Sequence, residues 1–140
     1  MYTFIARLAP VVALLLVVSG CNGSDLTDDV APDPTPTVTE SFQDVLAPNG
    51  GITHPFTATG GGAITAQLVS LAPDAVKPIG LSMGTWNGST CQIILANDLS
   101  IQGTAVTGQA TAAGNFCIRV YDAAGTVTEL QTYVVEVTHQ

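Results

Sequence analysis

The residues that could form a nucleophilic site are centred on Ser82. Residues 80–84 (GLSMG) fit the pattern G-x-S-x-G, which can hold a catalytic serine at a sharp turn between a strand and a helix. Asp98 or Asp122 and then His139 follow in the order Ser, Asp, His. No helical period follows the serine, so we predict no enzyme and interpret the glycines as allowing close packing of a strand. A small serine hydrolase is the remote alternative.

Residues 1–20 have the pattern of an export signal. Arg7 supplies one positive charge, and residues 8–18 (LAPVVALLLVV) form an apolar run shorter than the ~20 apolar residues that span a bilayer. At the end of the signal, residues 18–21 (VSGC) resemble the lipobox of bacterial lipoproteins. The open alternative is an N-terminal membrane anchor that is never cleaved.

The lipobox resemblance implies a modification at Cys21. It implies cleavage before Cys21, attachment of a diacylglycerol to its thiol, and acylation (palmitate) of the new amino group. Two or more acyl chains give a lasting anchor, at about 0.8 kcal/mol per buried CH₂. Asn22 follows in place of the aspartate that retains enterobacterial lipoproteins at the inner membrane. We therefore expect a lipid-anchored protein of the bacterial cell envelope at the outer membrane, periplasmic or surface-exposed.

The two remaining cysteines, Cys91 and Cys117, form an even pair in an oxidising compartment. A disulfide between them would close a loop of about 27 residues and stabilise the fold by about 3 kcal/mol. The alternative is two buried free thiols. The chain has no C-x-x-C motif for redox chemistry. Two cysteines and two distant histidines also lack the ligand spacing of a zinc site, so we expect no metal and no cofactor.

Three further side chains have binding or structural interpretations. Trp86 lies beside an Asn-Gly turn, so it is a candidate ligand contact as an exposed stacking platform, or alternatively a core residue. His54 and His139 are expected at the surface or at a sheet edge. Residues 25–33 (DLTDDVAPD) lack the register of a calcium-binding loop.

Charge and composition exclude several classes of partner. The chain has 140 residues, Lys+Arg 3 and Asp+Glu 11, for a formal net charge of -8. A nucleic acid or an anionic membrane surface needs clustered Lys and Arg, so neither is expected as a direct electrostatic partner. Hydrophobic residues make up 46% of the chain, which is enough for a packed core.

The chain divides into three segments, the signal peptide at 1–20, a tether at 21–40 and a folded domain at 41–140. The tether is acidic, rich in Pro and Thr, and nearly free of apolar residues, which is typical of a disordered linker. Fully extended, it reaches roughly 60 Å. It would hold the domain clear of the lipid surface.

From residue 41 onward the hydrophobic period is two, which indicates strands. Eight short runs rich in Val, Ile, Thr and aromatic residues are separated by turn signals. We predict an all-β, eight-stranded antiparallel sandwich of the jelly-roll type. In the run at 115–122 we expect Cys117 and Tyr121 to point into the core or to lie at a sheet edge, which would leave Arg119 needing a carboxylate partner. The eight runs are SFQDVLAP, ITHPFTAT, AITAQLVSL, IGLSMGTW, TCQIILA, SIQGTAVTG, NFCIRVYD and LQTYVVEVTH.

Residues 41–140 resemble the bacterial pre-peptidase C-terminal (PPC-like) domain. The resemblance is carried most sharply by residues 113–122 (AGNFCIRVYD) and 133–139 (YVVEVTH). It implies a small β-sandwich of the kind appended to secreted peptidases, with roles in substrate or matrix contact, secretion or folding. No enzyme domain accompanies it in this sequence.

Two functions of different classes follow. The first is a non-enzymatic binding or adhesion module, which the lipid fixes to the membrane and whose loops contact a protein or a glycan. The alternative is a structural accessory subunit that docks on a larger envelope or secretion assembly through a sheet edge or an apolar face.

Overall fold

The computed structural model describes residues 35–140, which form eight β-strands. The predicted signal peptide, Cys21 and most of the predicted tether lie outside the described residues. Within the described part, no helix is long and apolar enough to cross a membrane. The strands are β1 (Val38–Leu46), β2 (Gly51–Ala58), β3 (Gly62–Ala72), β4 (Ile79–Trp86), β5 (Cys91–Ser100), β6 (Ala105–Ala110), β7 (Gly114–Tyr121) and β8 (Gln131–His139).

The strands form two antiparallel four-stranded sheets. The first sheet has the order β1-β8-β3-β6, and the second has the order β2-β7-β4-β5. This interleaved order, with the first strand beside the last, is the jelly-roll arrangement. The predicted fold class is therefore confirmed. Strand β1 begins at Val38, within the segment assigned to the tether.

The core lies between the two sheets and follows the alternation of side chains along each strand. In β8, Tyr133, Val135 and Val137 are completely buried, and the residues between them are exposed or half-buried. Ile118 and Val120 of β7 face them from the second sheet as members of the same core cluster. Burying each aliphatic side chain stabilises the fold by about 1.5–3 kcal/mol.

The face assignment predicted for β7 is wrong. Ile118 and Val120 face the core, so Cys117 and Tyr121 lie on the outer face of the second sheet, because alternate residues point to opposite sides. Cys117 is nevertheless completely buried. Arg119, on the same outer face, stacks over the ring of Tyr121 at 5.6 Å instead of pairing with a carboxylate of the described residues.

Candidate functional site

The outer face of the second sheet is cross-linked by a disulfide. Cys91 and Cys117 are bonded, with their Cα atoms 5.8 Å apart, which confirms the predicted pair. Cys91 begins β5 and Cys117 lies in β7, and β4 separates these strands in the sheet. Gly84 of β4 is the partner of Cys117 in the ladder. A Cβ at Gly84 would overlap the carbonyl oxygen of Gln92, so this glycine lets the start of β5 cross over β4.

The G-x-S-x-G motif is a packing motif of β4. A Cβ at Gly80 would overlap the ring of Tyr121, so both glycines of the motif accommodate groups that lie on the strand. Ser82, between them, is completely buried. Its hydroxyl donates a hydrogen bond of 3.3 Å to the carbonyl oxygen of Arg119. The strand continues to Trp86, so Ser82 does not lie at a turn into a helix, as a nucleophilic serine of this motif would.

The two aspartates considered with Ser82 have structural partners. The hydroxyl of Tyr121 donates to Asp98. Burial and this hydrogen bond raise the pKa of Tyr121 to about 12, against the opposing charge of Arg119. Asp122 accepts hydrogen bonds from the backbone N–H groups of Asn49 at 2.9 Å and Thr126 at 3.0 Å. Burial alone would raise the pKa of Asp122, but these backbone donors lower it.

The two histidines lie away from Ser82 in contacts of their own. His139 was expected at the surface or an edge, and this is wrong, because it is 3% exposed on the interior strand β8 and lies 2.8 Å from Glu40. His54 is half-buried on edge strand β2, where its ring nitrogen lies 2.7 Å from the hydroxyl of Tyr133. Burial lowers the pKa of His54, and the charge of Asp44 opposes that shift. Within residues 35–140, no three His, Cys, Asp or Glu side chains are grouped as metal ligands.

Trp86 is positioned by a tight hairpin and by the disulfide. It ends β4 and pairs with Cys91, the first residue of β5. The side-chain oxygen of Asn87 accepts hydrogen bonds from the backbone N–H groups of Ser89 at 3.0 Å and Thr90 at 2.8 Å. The amide nitrogen of Asn87 donates to the Thr90 hydroxyl at 2.8 Å. The turn is thus fixed internally, and the disulfide fixes the strand that leaves it.

Two shallow grooves flank Trp86, which is half-buried and lies outside the core cluster. One has a volume of about 550 Å³ and the other about 320 Å³. Their side chains are mostly uncharged and polar, and Arg119 supplies the one charge. We name the lining of both grooves the Trp86 face. Besides Trp86, it consists of Pro55, Phe56, Thr57, Asn87, Gly88 and Asn115 on one side and Thr53, Ser89, Thr90, Cys91 and Arg119 on the other.

A second candidate surface, missed by the sequence analysis, lies on edge strand β5. Ile94 is 68% exposed and Leu99 is 74% exposed. The β4–β5 ladder shifts register twice, and these two residues lie at the shifts. A bulge re-aims the side chain that it carries, which explains why aliphatic residues of a strand point to solvent. The signal in the sequence was the unbroken run at residues 93–95 (IIL), where a half-buried strand would alternate.

Comparison with known proteins defines the fold. No protein-family model and no curated protein matches the chain. The mitogen of Yersinia pseudotuberculosis (YPM) is similar in structure, with 14% identity and a TM-score of 0.53 over 74% of this chain and 86% of that one. PliG of Aeromonas hydrophila, a periplasmic inhibitor of g-type lysozyme, has 17% identity and a TM-score of 0.52 over 73% and 86%. At these identities the likeness shows a shared β-rich fold.

Proposed function

We propose that the chain is a non-enzymatic lipoprotein of the bacterial cell envelope that presents its β-sandwich as a binding module for a protein or a glycan. The observation that carries this proposal is the Trp86 face. A half-exposed indole lies there between two open grooves, on a hairpin fixed by hydrogen bonds and a disulfide. Rigid aromatic residues provide contact area at low entropic cost.

The sequence supports the envelope part of the proposal. The lipobox-like residues 18–21 predict a lipid on Cys21, and the acidic segment up to residue 40 would supply the reach. The assignment of the domain as PPC-like belongs to the same proposal. The two structural neighbours described above are named a mitogen and a lysozyme inhibitor, which is consistent with a binding role here.

The proposal is tested by measuring which components of the envelope the immobilised protein retains. The full chain, purified in detergent, is immobilised and exposed to solubilised envelope proteins and glycans. We expect a component that is retained by the native protein and lost with Trp86→Ala, while Leu130→Ala, a change at an exposed residue outside the grooves, retains it. Equal retention by the native protein and Trp86→Ala would contradict the proposal. In cells, Cys21→Ala should release the protein from the membrane fraction.

A structural accessory subunit is the second candidate, and the exposed aliphatic residues of β5 favour it. Apolar side chains exposed along a sheet edge are typical of surfaces that contact another protein. This function predicts a stoichiometric complex, extracted intact from the envelope, that Ile94→Asp disrupts and Trp86→Ala does not. The opposite pattern of variants would favour the binding module.

A further inference from the structure

The charge of Arg119 has no partner among the described residues, although the chain as a whole is acidic. Lys77, the other cation of residues 35–140, lies 3.9 Å from a carboxylate oxygen of Asp74. Arg119 is exposed, and no carboxylate of the described residues lies within salt-bridge distance of it. Its guanidinium stacks over the ring of Tyr121. The donors of Arg119 are thus held in place and remain open to a ligand.

Arg119 and Trp86 line the same groove. This groove has a volume of about 320 Å³, and its remaining lining includes the hydroxyl-bearing side chains of Thr53, Ser89 and Thr90. A guanidinium forms strong, often paired hydrogen bonds with a carboxylate, and an indole provides a flat apolar platform. The groove therefore combines a site for an anionic group with a site for a flat ring and several hydrogen-bonding hydroxyls.

We propose that the Trp86 face binds an acidic glycan, with a sugar ring stacked on Trp86 and a sugar carboxylate paired with Arg119. This inference rests on the proposed binding function and names the chemistry of its ligand. The charge of the protein makes this site distinctive, because a formal net charge of -8 disfavours anions in general, and Arg119 supplies a local positive charge.

The shape of the groove favours a glycan over a peptide. Peptides that bind to sheets commonly pair with a free strand edge and insert alternate side chains into pockets. The grooves lie on the outer face of the sheet, and the edge strand that lines both of them, β2, carries Pro55, which lacks a backbone donor. Both grooves are shallow and share Trp86 in their lining, so a chain of several sugar rings could occupy both.

The test compares an acidic ligand with its methyl ester, which lacks the negative charges and carries one added methyl group on each carboxyl group. The full chain in detergent is titrated with trigalacturonate and with its fully methyl-esterified form, and the fluorescence of Trp86, the single tryptophan of the chain, reports contact at the site. We expect saturable binding of the acid, at least about tenfold weaker binding of the ester, and weakening of the acid's binding as the salt concentration rises.

Variants then test whether Arg119 supplies the positive charge that the acid contacts. Arg119→Gln should reduce affinity for the acid to that for the ester, while Lys77→Gln, the matched loss of the other cation, should change it by less than about twofold. Arg119→Lys should restore part of the binding, and thermal unfolding checks that each variant is folded. Equal binding of acid and ester, or an Arg119→Gln variant with native affinity, would overturn the acidic-glycan proposal.

The outcome also separates this inference from the function on which it rests. Calorimetry is used for Trp86→Ala, which lacks the fluorophore. If a neutral glycan or an envelope protein binds and Trp86→Ala abolishes that binding, the binding module stands and the acidic ligand is wrong. If neither probe binds and Trp86→Ala changes the retention of no envelope component, both are wrong.

Discussion

The second sheet carries two exposed surfaces that are built in opposite ways. The Trp86 face is polar, and a disulfide and a hydrogen-bonded hairpin fix it. The exposed surface of β5 is aliphatic and bulged, and its most exposed residues, Ile94 and Leu99, protrude into solvent. A fixed polar surface suits a small ligand, which gains affinity from pre-organisation. An aliphatic surface suits a protein partner, which buries apolar area.

The four edge strands also differ, in this case in how strongly they discourage pairing with another chain. Strand β1 carries Glu40 and Asp44, β2 carries Pro55, and β6 has 6 residues. Charge, proline and shortness each discourage pairing with another chain. Strand β5 has 10 residues and none of these features along its aliphatic run at residues 93–95, and its bulges and Asp98 interrupt the edge. Contact at β5 would therefore involve side chains more than backbone pairing.

The largest expected effect is loss of the cross-link beneath the Trp86 face. Replacing both cysteines, Cys91→Ala with Cys117→Ala, should lower the free energy of unfolding by about 3 kcal/mol, because the unfolded chain is no longer constrained. Denaturant unfolding measures the change, and the emission of Trp86 should shift to longer wavelength as the hairpin loosens. A loss below about 1 kcal/mol would contradict the expected stabilisation, and unchanged emission of Trp86 would show that the hairpin does not depend on this bond.

The second effect tests the crossing of β5 over β4. Gly84→Ala should destabilise the fold by about 2 kcal/mol, because the new methyl group overlaps the Gln92 backbone and the strands must separate. Gly114→Ala is the matched control, since its methyl group would meet only the Phe116 ring at an ordinary distance of 3.4 Å or more. Equal stability of the two variants would contradict the crossing.

A smaller effect is expected at β2, the edge opposite β5. Burial lowers the folded-state pKa of His54 below the 6.5 of the unfolded chain, and Asp44 opposes the shift. The unfolded state then binds more protons, so this contribution to stability is present above pH 6.5 and is lost as the pH falls through the folded pKa. The unfolding temperature should fall less steeply for His54→Gln than for the native protein as the pH is lowered from about 7 to about 5. Parallel profiles would rule out this linkage.

The smallest effect on stability is expected on β5. Ile94→Asp should change the free energy of unfolding by less than about 0.5 kcal/mol, because the side chain is 68% exposed. The same variant should leave ligand binding at Trp86 intact and disrupt only complexes made through β5. Size-exclusion chromatography of envelope extracts measures the second outcome. A variant that loses ligand binding at Trp86 would show that the two surfaces are one.

The strands could be predicted from the sequence because they depend on a local pattern of residues. The disulfide could be predicted because the number of cysteines left after Cys21 is even. All eight predicted runs overlap observed strands, since alternation and turn residues are local signals. The outward direction of Cys117 was missed, because the prediction assumed a bond across the core, whereas the bond runs along one sheet. Only the three-dimensional approach of Gln92 to Gly84 reveals that route.

The candidate site could be predicted only in part. Trp86 was recognised from its residue type and the adjacent turn, but Arg119 was expected to need a carboxylate and instead stacks on Tyr121. The exposed surface of β5 was missed because a bulge inserts one residue without a distinctive local sequence. His139 was misplaced because its position beside the C-terminus suggested exposure, while pairing of β8 between β1 and β3 covers it.

The ladder between β1 and β8 has a mechanical consequence. Val38 is paired with His139, and Leu46 is paired with Gln131, so a pull arriving from the residues before β1 enters at one end of this ladder. The Thr39–Thr138 hydroxyl contact and the Glu40–His139 contact both lie near that end, so they would be loaded before the middle of the ladder. On the proposed lipid tether, force on a bound ligand would therefore reach the domain at these terminal contacts of the β1–β8 ladder.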